Sequence, residues 1–185
     1  MPKGAVKFGL YAMVCGFVLS MASSVRAQTL TVLLSGNQVR WTNATGNPLI
    51  PGSATNNGSA PVTVTTTWAN LNPGQSKPLS VWAYFNSPTA ALAHVSGCAG
   101  AGCMDIPSSA VEIRVNGGAL LPVNQTGPFG AAGAGLSIFS VRITGSNRSG
   151  VHVDNLAFNL NLSTLPNLGV DSYSGTLFIQ AEASP

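Results

Sequence analysis

Beyond residue 27 the apolar side chains return at every second position, and no run returns at the three- and four-residue spacing of a helical stripe. A period of two sends successive side chains to opposite faces of an extended chain, so each segment has one face to bury and one to leave in water. Leu30, Val32 and Leu34 alternate with Thr29, Thr31 and Leu33, and a Ser-Gly-Asn turn at 35–37 leads to Val39 and Trp41. Val62 to Trp68 is β-branched almost throughout. It is followed by an Asn-Pro-Gly turn at 72–74 and by Leu79 to Phe85, which together suggest a hairpin. Val111, Ile113 and Val115 alternate with Glu112 and Arg114 ahead of Asn116-Gly117, the strongest short hairpin signal, because both turn positions need positive φ.

The same pattern continues to the end. Leu136 to Thr144 is extended, and Val151 to Leu162 puts Leu156, Phe158, Leu160 and Leu162 on one side with asparagines on the other. Tyr173, Gly175, Leu177, Ile179 and Ala181 alternate with Ser174, Thr176, Phe178, Gln180 and Glu182 in the last segment. Residues 43–61 and 127–135 carry the Gly, Pro, Asn, Ser and Thr of connecting loops. Eight or nine short strands with turns between them and no crossover helix predict an all-β fold. The expected form is an antiparallel β-sandwich, with an immunoglobulin-like Greek key as the commonest arrangement and a β-barrel as the alternative.

The first 27 residues differ in kind. Lys3 and Lys7 precede an apolar run from Phe8 to Leu19, and small residues close the segment at Val25-Arg26-Ala27. That is the pattern of a cleavable signal peptide, and the apolar run is too short for the ~20 residues of a membrane-spanning helix. The chain therefore divides into a signal peptide, 1–27, and a single domain, 28–185. The mature protein is expected in the periplasm, at the cell surface or in the medium, with no transmembrane span.

Removing that segment changes the charge. Three of the eight cations, Lys3, Lys7 and Arg26, leave with it, so five cations balance five acids in the mature chain. A neutral surface has no basic footprint for a phosphate backbone, which argues against nucleic acid as a partner. About 158 residues are enough to bury a core without metals, and no cofactor is expected.

Cys98 and Cys103 form Cys-Ala-Gly-Ala-Gly-Cys, and in an exported chain their expected state is a disulfide. So small a ring adds only ~2 kcal/mol, enough to pin a loop. His94, Cys98, Cys103 and Met104 are also ligand types that suit copper, but their order is wrong for a blue-copper loop, so no metal site is expected. His152 and Asp154 share a strand face and read as a solvated pair beside a turn. Glu112 and Arg114 read as a surface ion pair. Neither Gly-x-Ser-x-Gly nor His-Glu-x-x-His occurs, and the five mature carboxylates single out no facing pair, so no catalysis is expected. Trp41, Trp68 and Trp82 could stack on a sugar but read first as core. Tyr84 and Phe85 must point to opposite faces, which leaves one of them free to face outward.

The ending Tyr173-Ser174-Gly175-Thr176-Leu177-Phe178-Ile179-Gln180-Ala181-Glu182-Ala183 resembles the closing strand of bacterial pilin-like and spore-coat-U-like secreted β-sandwich proteins. The resemblance implies a structural or adhesive subunit that assembles by strand addition, with itself or with other surface proteins. The donor would be the segment from Thr29 to Leu34, with Leu30, Val32 and Leu34 filling alternate pockets. A carbohydrate-binding module, with a glycan as partner, is the alternative.

Overall fold

A computed structural model describes residues 27–36, 38, 39, 41, 49–74, 77–94, 102–127, 133–169 and 172–183. The signal-peptide expectation therefore falls, except at Ala27, outside the described residues, and so does Cys98. The described residues form ten strands: β1 (Thr29–Ser35), β2 (Val62–Ala69), β3 (Leu79–Phe85), β4 (Ala93–His94), β5 (Val111–Val115), β6 (Leu120–Pro122), β7 (Leu136–Val141), β8 (Gly150–Leu160), β9 (Tyr173–Ser174) and β10 (Leu177–Glu182).

One sheet runs β1-β2-β8-β5-β6, a second runs β10-β3-β7, and β4 pairs with β9 apart from both. Every pairing is antiparallel. Neither large sheet closes on itself, so the fold is an antiparallel sandwich and not the alternative barrel. The order β1-β2-β8-β5 repeats the A-B-E-D order of an immunoglobulin sheet, and β10 beside β3 stands as F stands beside C. β7 departs from that plan: it comes between the D and E equivalents in the chain yet pairs on the other side of β3.

The alternation dictates the core. Val64 from β2, Ile113 from β5 and Leu156, Phe158 and Leu160 from β8 meet Val81, Ala83 and Phe85 from β3 between the sheets. Ile106 and Leu162, on the connections, close the same core. A smaller cluster at one end gathers Trp68, Leu71, Leu79 and Ile143. There the Trp68 Nε1–H donates to the Asn147 carbonyl at 2.9 Å, satisfying the polar end of a buried indole. Gly150 stands opposite Trp68 in the β2–β8 ladder, and a Cβ on it would lie 2.6 Å from the indole.

The Asn-Gly turn forms as read: Asn116 at φ 51° and Gly117 at φ 75° join β5 to β6. The hairpin suggested for Val62–Trp68 and Leu79–Phe85 does not form. β2 pairs with β1 and β8 while β3 lies in the other sheet, because both strands are buried on one face and belong to opposite layers. Val39 and Trp41 make no strand pairing but still pack on the core. Part of the long 43–61 connection is docked and not free. The Asn56 amide N–H donates to Asn159 Oδ1 at 2.8 Å, and Asn159 Nδ2 donates to the Ala54 carbonyl at 3.0 Å. This loop covers the outward side of β8 at Asn159, which explains why an asparagine on the polar side of the strand is buried.

Candidate contact faces

The outward side of β1, β2 and β8 is a ladder of small and β-branched residues. Register puts Thr31, Thr67 and Val151 in one row and Leu33, Thr65 and Val153 in the next. Ser35, Thr63 and Asn155 make a third row, in which the Thr63 hydroxyl donates to Asn155 Oδ1 at 3.0 Å. Leu33 and Val151 are each 63% exposed and Val153 is 48% exposed, and none of these nine residues is charged. These three strands thus present an uncharged, partly apolar face where a solvated sheet usually carries polar and charged side chains.

The outward side of the three-stranded sheet is aromatic. Trp82 and Tyr84 of β3 stand opposite Gln180 and Phe178 of β10, and all three rings are half-buried. The Tyr84 and Phe178 rings stack at 5.4 Å and 23°. Gln180 and Glu182 are exposed beside them, and Ser140 faces Ser80 across β3 and β7 at 3.2 Å between hydroxyls. The expectation for the Tyr84-Phe85 pair holds: Phe85 is in the core and Tyr84 is on this face. The three tryptophans separate accordingly, with Trp68 buried, Trp41 packed against the core and Trp82 outside.

His152 and Asp154 share a face, but it is the inner one, which corrects the solvated reading. Asp154 is 1% exposed, and its Oδ1 accepts from Asn116 Nδ2 at 2.7 Å and lies 3.0 Å from His152 Nε2. The His152 ring stacks on Phe139 from the opposite sheet, with centroids 3.8 Å apart and 14° between planes. Thr66, directly across from His152, is also buried, and its Oγ1 and Asp154 Oδ2 have no hydrogen-bond partner among the described residues. The sequence signal was present in the His-x-Asp spacing. What it lacked was the sense of the alternation, since a polar pair on a strand reads as outward by default.

Glu112 does not pair with Arg114. Its carboxylate accepts from Asn159 Nδ2 at 2.7 Å and Asn161 Nδ2 at 2.9 Å, amides that β8 and the residue just past its end bring to it. His94 pairs with Asp105, whose Oδ1 accepts the His94 backbone N–H at 3.1 Å and lies 2.8 Å from Nδ1. The backbone N–H, then the ring, hold the Asp105 carboxyl below its ordinary value of 3.8. Among the described residues no three His, Cys, Asp or Glu side chains gather as a metal site. Cys103 is among the described residues and its sequence partner Cys98 is not.

The segment that the resemblance would make a donor strand, with Leu30, Val32 and Leu34, pairs as β1 with its own β2 over seven residues. Leu30 and Val32 are half-buried and Leu34 is exposed. No helix among the described residues is long and apolar enough to cross a membrane. The chain matches no family model, no curated protein and no solved structure.

Proposed function

We propose that this chain is an exported structural or adhesive β-sandwich module of the cell surface, a pilin-like subunit that works by contact and carries out no catalysis. The observation that carries the reading is the uncharged outer face of β1, β2 and β8. Leu33, Val151 and Val153 stand exposed there among threonines, and the bounding strand β1 has no charge and no proline along its length. Such a face and edge offer area and backbone hydrogen bonds to another protein, and natural sheets usually guard them with Lys, Pro or a bulge. A Cys98–Cys103 disulfide would tie together the segment between them in the oxidising compartment to which the leader would direct the chain. Size-exclusion chromatography tests the reading. The mature chain should elute as assemblies, and the same chain without residues 28–36, shown by circular dichroism to keep its β spectrum, should elute as a monomer. Identical stable monomers would defeat it.

Carbohydrate binding is a second reading, favoured by the strip of Trp82, Tyr84 and Phe178 beside the amide of Gln180 and the carboxylate of Glu182. Rings on a sheet face can stack on the apolar side of a pyranose while neighbouring polar groups take its hydroxyls. A glycan array with the mature domain, repeated with Trp82→Ala and Tyr84→Ala, decides it: binding must appear and must fall with either change.

A further inference from the structure

We infer that Asn116 is a site of spontaneous covalent modification, closing on the Gly117 nitrogen to a cyclic imide that opens to aspartate or isoaspartate. The conversion turns a donor to buried Asp154 into a second carboxylate. The inference stands apart from the contact role proposed above.

The reaction needs a backbone nitrogen that can reach the side-chain amide of the residue before it, and glycine, with no Cβ, obstructs that approach least. The chain has two such pairs, Asn57-Gly58 and Asn116-Gly117. The fold treats them differently. At the first, the Gly58 N–H donates to the Phe158 carbonyl at 2.8 Å, and a Cβ on Gly58 would lie 2.8 Å from Val39 and 3.3 Å from Phe158. Freeing that nitrogen means lifting the loop that Asn56 and Asn159 hold to β8. At the second, the Gly118 N–H donates to the Val115 carbonyl and the Asn116 N–H to the Asn155 carbonyl, each at 2.9 Å, and neither bond uses the Gly117 nitrogen. Asn116 and Gly117 are exposed, and nothing beyond the chain neighbours lies within 4 Å of where a Cβ on Gly117 would stand. The Asn116 side chain must first leave Asp154 and the Asn155 N–H. It can do so as the turn opens, because β6 is three residues long and ends its sheet, so no core strand has to part.

In the first step the Gly117 nitrogen bonds to Asn116 Cγ and gives its proton to solvent, while the Cγ–Nδ2 bond breaks and Nδ2 leaves as ammonia. Water then opens the imide at one carbonyl to aspartate or at the other to isoaspartate. The departing Nδ2 is the donor that meets Asp154 Oδ1 at 2.7 Å. Asp154 is 1% exposed; its Oδ1 keeps His152 Nε2 at 3.0 Å, and its Oδ2 has no partner among the described residues. A carboxylate at 116 therefore sets a like charge against a buried group that has lost its amide donor. Isoaspartate also lengthens the backbone within the two-residue turn that sets the β5–β6 register.

The test follows the mature chain at mildly alkaline pH, folded and in urea, with mass spectrometry of the peptides that carry residues 57 and 116. In the folded protein Asn116 should pass from amide to acid about tenfold faster than Asn57, which waits on the larger opening. In urea the two should convert at similar rates. Asn116→Asp, one of the two products, should unfold at least about 3 °C below the wild type, and so should the acidic fraction that anion exchange separates from aged wild-type protein. Equal rates in the folded protein, or conversion in urea alone, overturn the site. Converted chains as stable as the wild type overturn its consequence.

Discussion

Tyr84 stands directly opposite Phe178 on adjacent strands, its ring stacked on the phenyl at 5.4 Å while its hydroxyl donates to Gln180 Oε1 at 3.1 Å. One residue thus ties β3 to β10 twice, once through its face and once through its tip. The core lies on the other side of both strands, so this contact can be altered without opening the interior.

A double-mutant cycle between Tyr84→Ala and Phe178→Ala should return a coupling of about 0.5 kcal/mol, the scale of a cross-strand pair. Urea denaturation of the four forms measures it. A coupling indistinguishable from zero would mean that the stacking does not hold the two strands together.

At the other end of the sandwich the indole of Trp68 leaves no room beside Gly150, where a Cβ would come within 2.6 Å of it. Gly150→Ala should cost about 1–3 kcal/mol, the range for overpacking a filled site, and should shift the tryptophan emission. An alanine variant as stable as the wild type would show that the ring has space to retreat.

Asn116 serves both the turn and the interior. Its positive φ suits the Asn-Gly turn, its Nδ2 reaches buried Asp154 at 2.7 Å, and its Oδ1 accepts the Asn155 N–H at 2.8 Å. Asn116→Gly keeps the backbone free and should cost about 1–3 kcal/mol through the lost hydrogen bonds to buried groups. Asn116→Ala should cost about 1 kcal/mol more, because alanine also resists φ above zero. Equal losses in thermal or urea unfolding would remove the backbone part of the argument.

The Asp105 carboxyl, held below 3.8 first by the His94 backbone N–H and then by the ring, links stability to acid pH. A group whose folded value is depressed contributes its full share above the unfolded value and loses it as pH falls through the folded one. The side-chain carboxyl carbon resonance of Asp105 should therefore titrate with a midpoint below 3.8, and His94→Ala, which keeps the backbone N–H but removes the ring, should raise that midpoint. A midpoint above 3.8 in the titration would contradict the pairing.

Much of this architecture is legible in the chain because a period of two needs no knowledge of neighbours. Leu156, Phe158 and Leu160 read as one buried side and are one, and Asn116-Gly117 reads as a turn because only certain residues accept its φ. The assignment of strands to sheets is not legible. Val62–Ala69 and Leu79–Phe85 look like hairpin partners by distance along the chain, yet each buries a face and the two faces meet across the sandwich. Polarity misleads in a similar way at His152 and Asp154, which point inward because Asn116 and Phe139 supply an amide and a ring there, contributions from strands and turns far off in sequence. On the candidate faces, Leu33, Val151 and Val153 become one patch only through the register of three strands.

A contact role at the cell surface requires first that the chain leave the cytoplasm and meet oxidising conditions outside it. Intact-mass spectrometry of the protein recovered from the periplasm, cell surface or medium tests this most directly. The polypeptide should begin at Gln28 and gain two hydrogens on reduction, as Cys98 and Cys103 open. A chain that retains Met1 to Ala27, stays in the cytoplasm and does not change mass on reduction would contradict it.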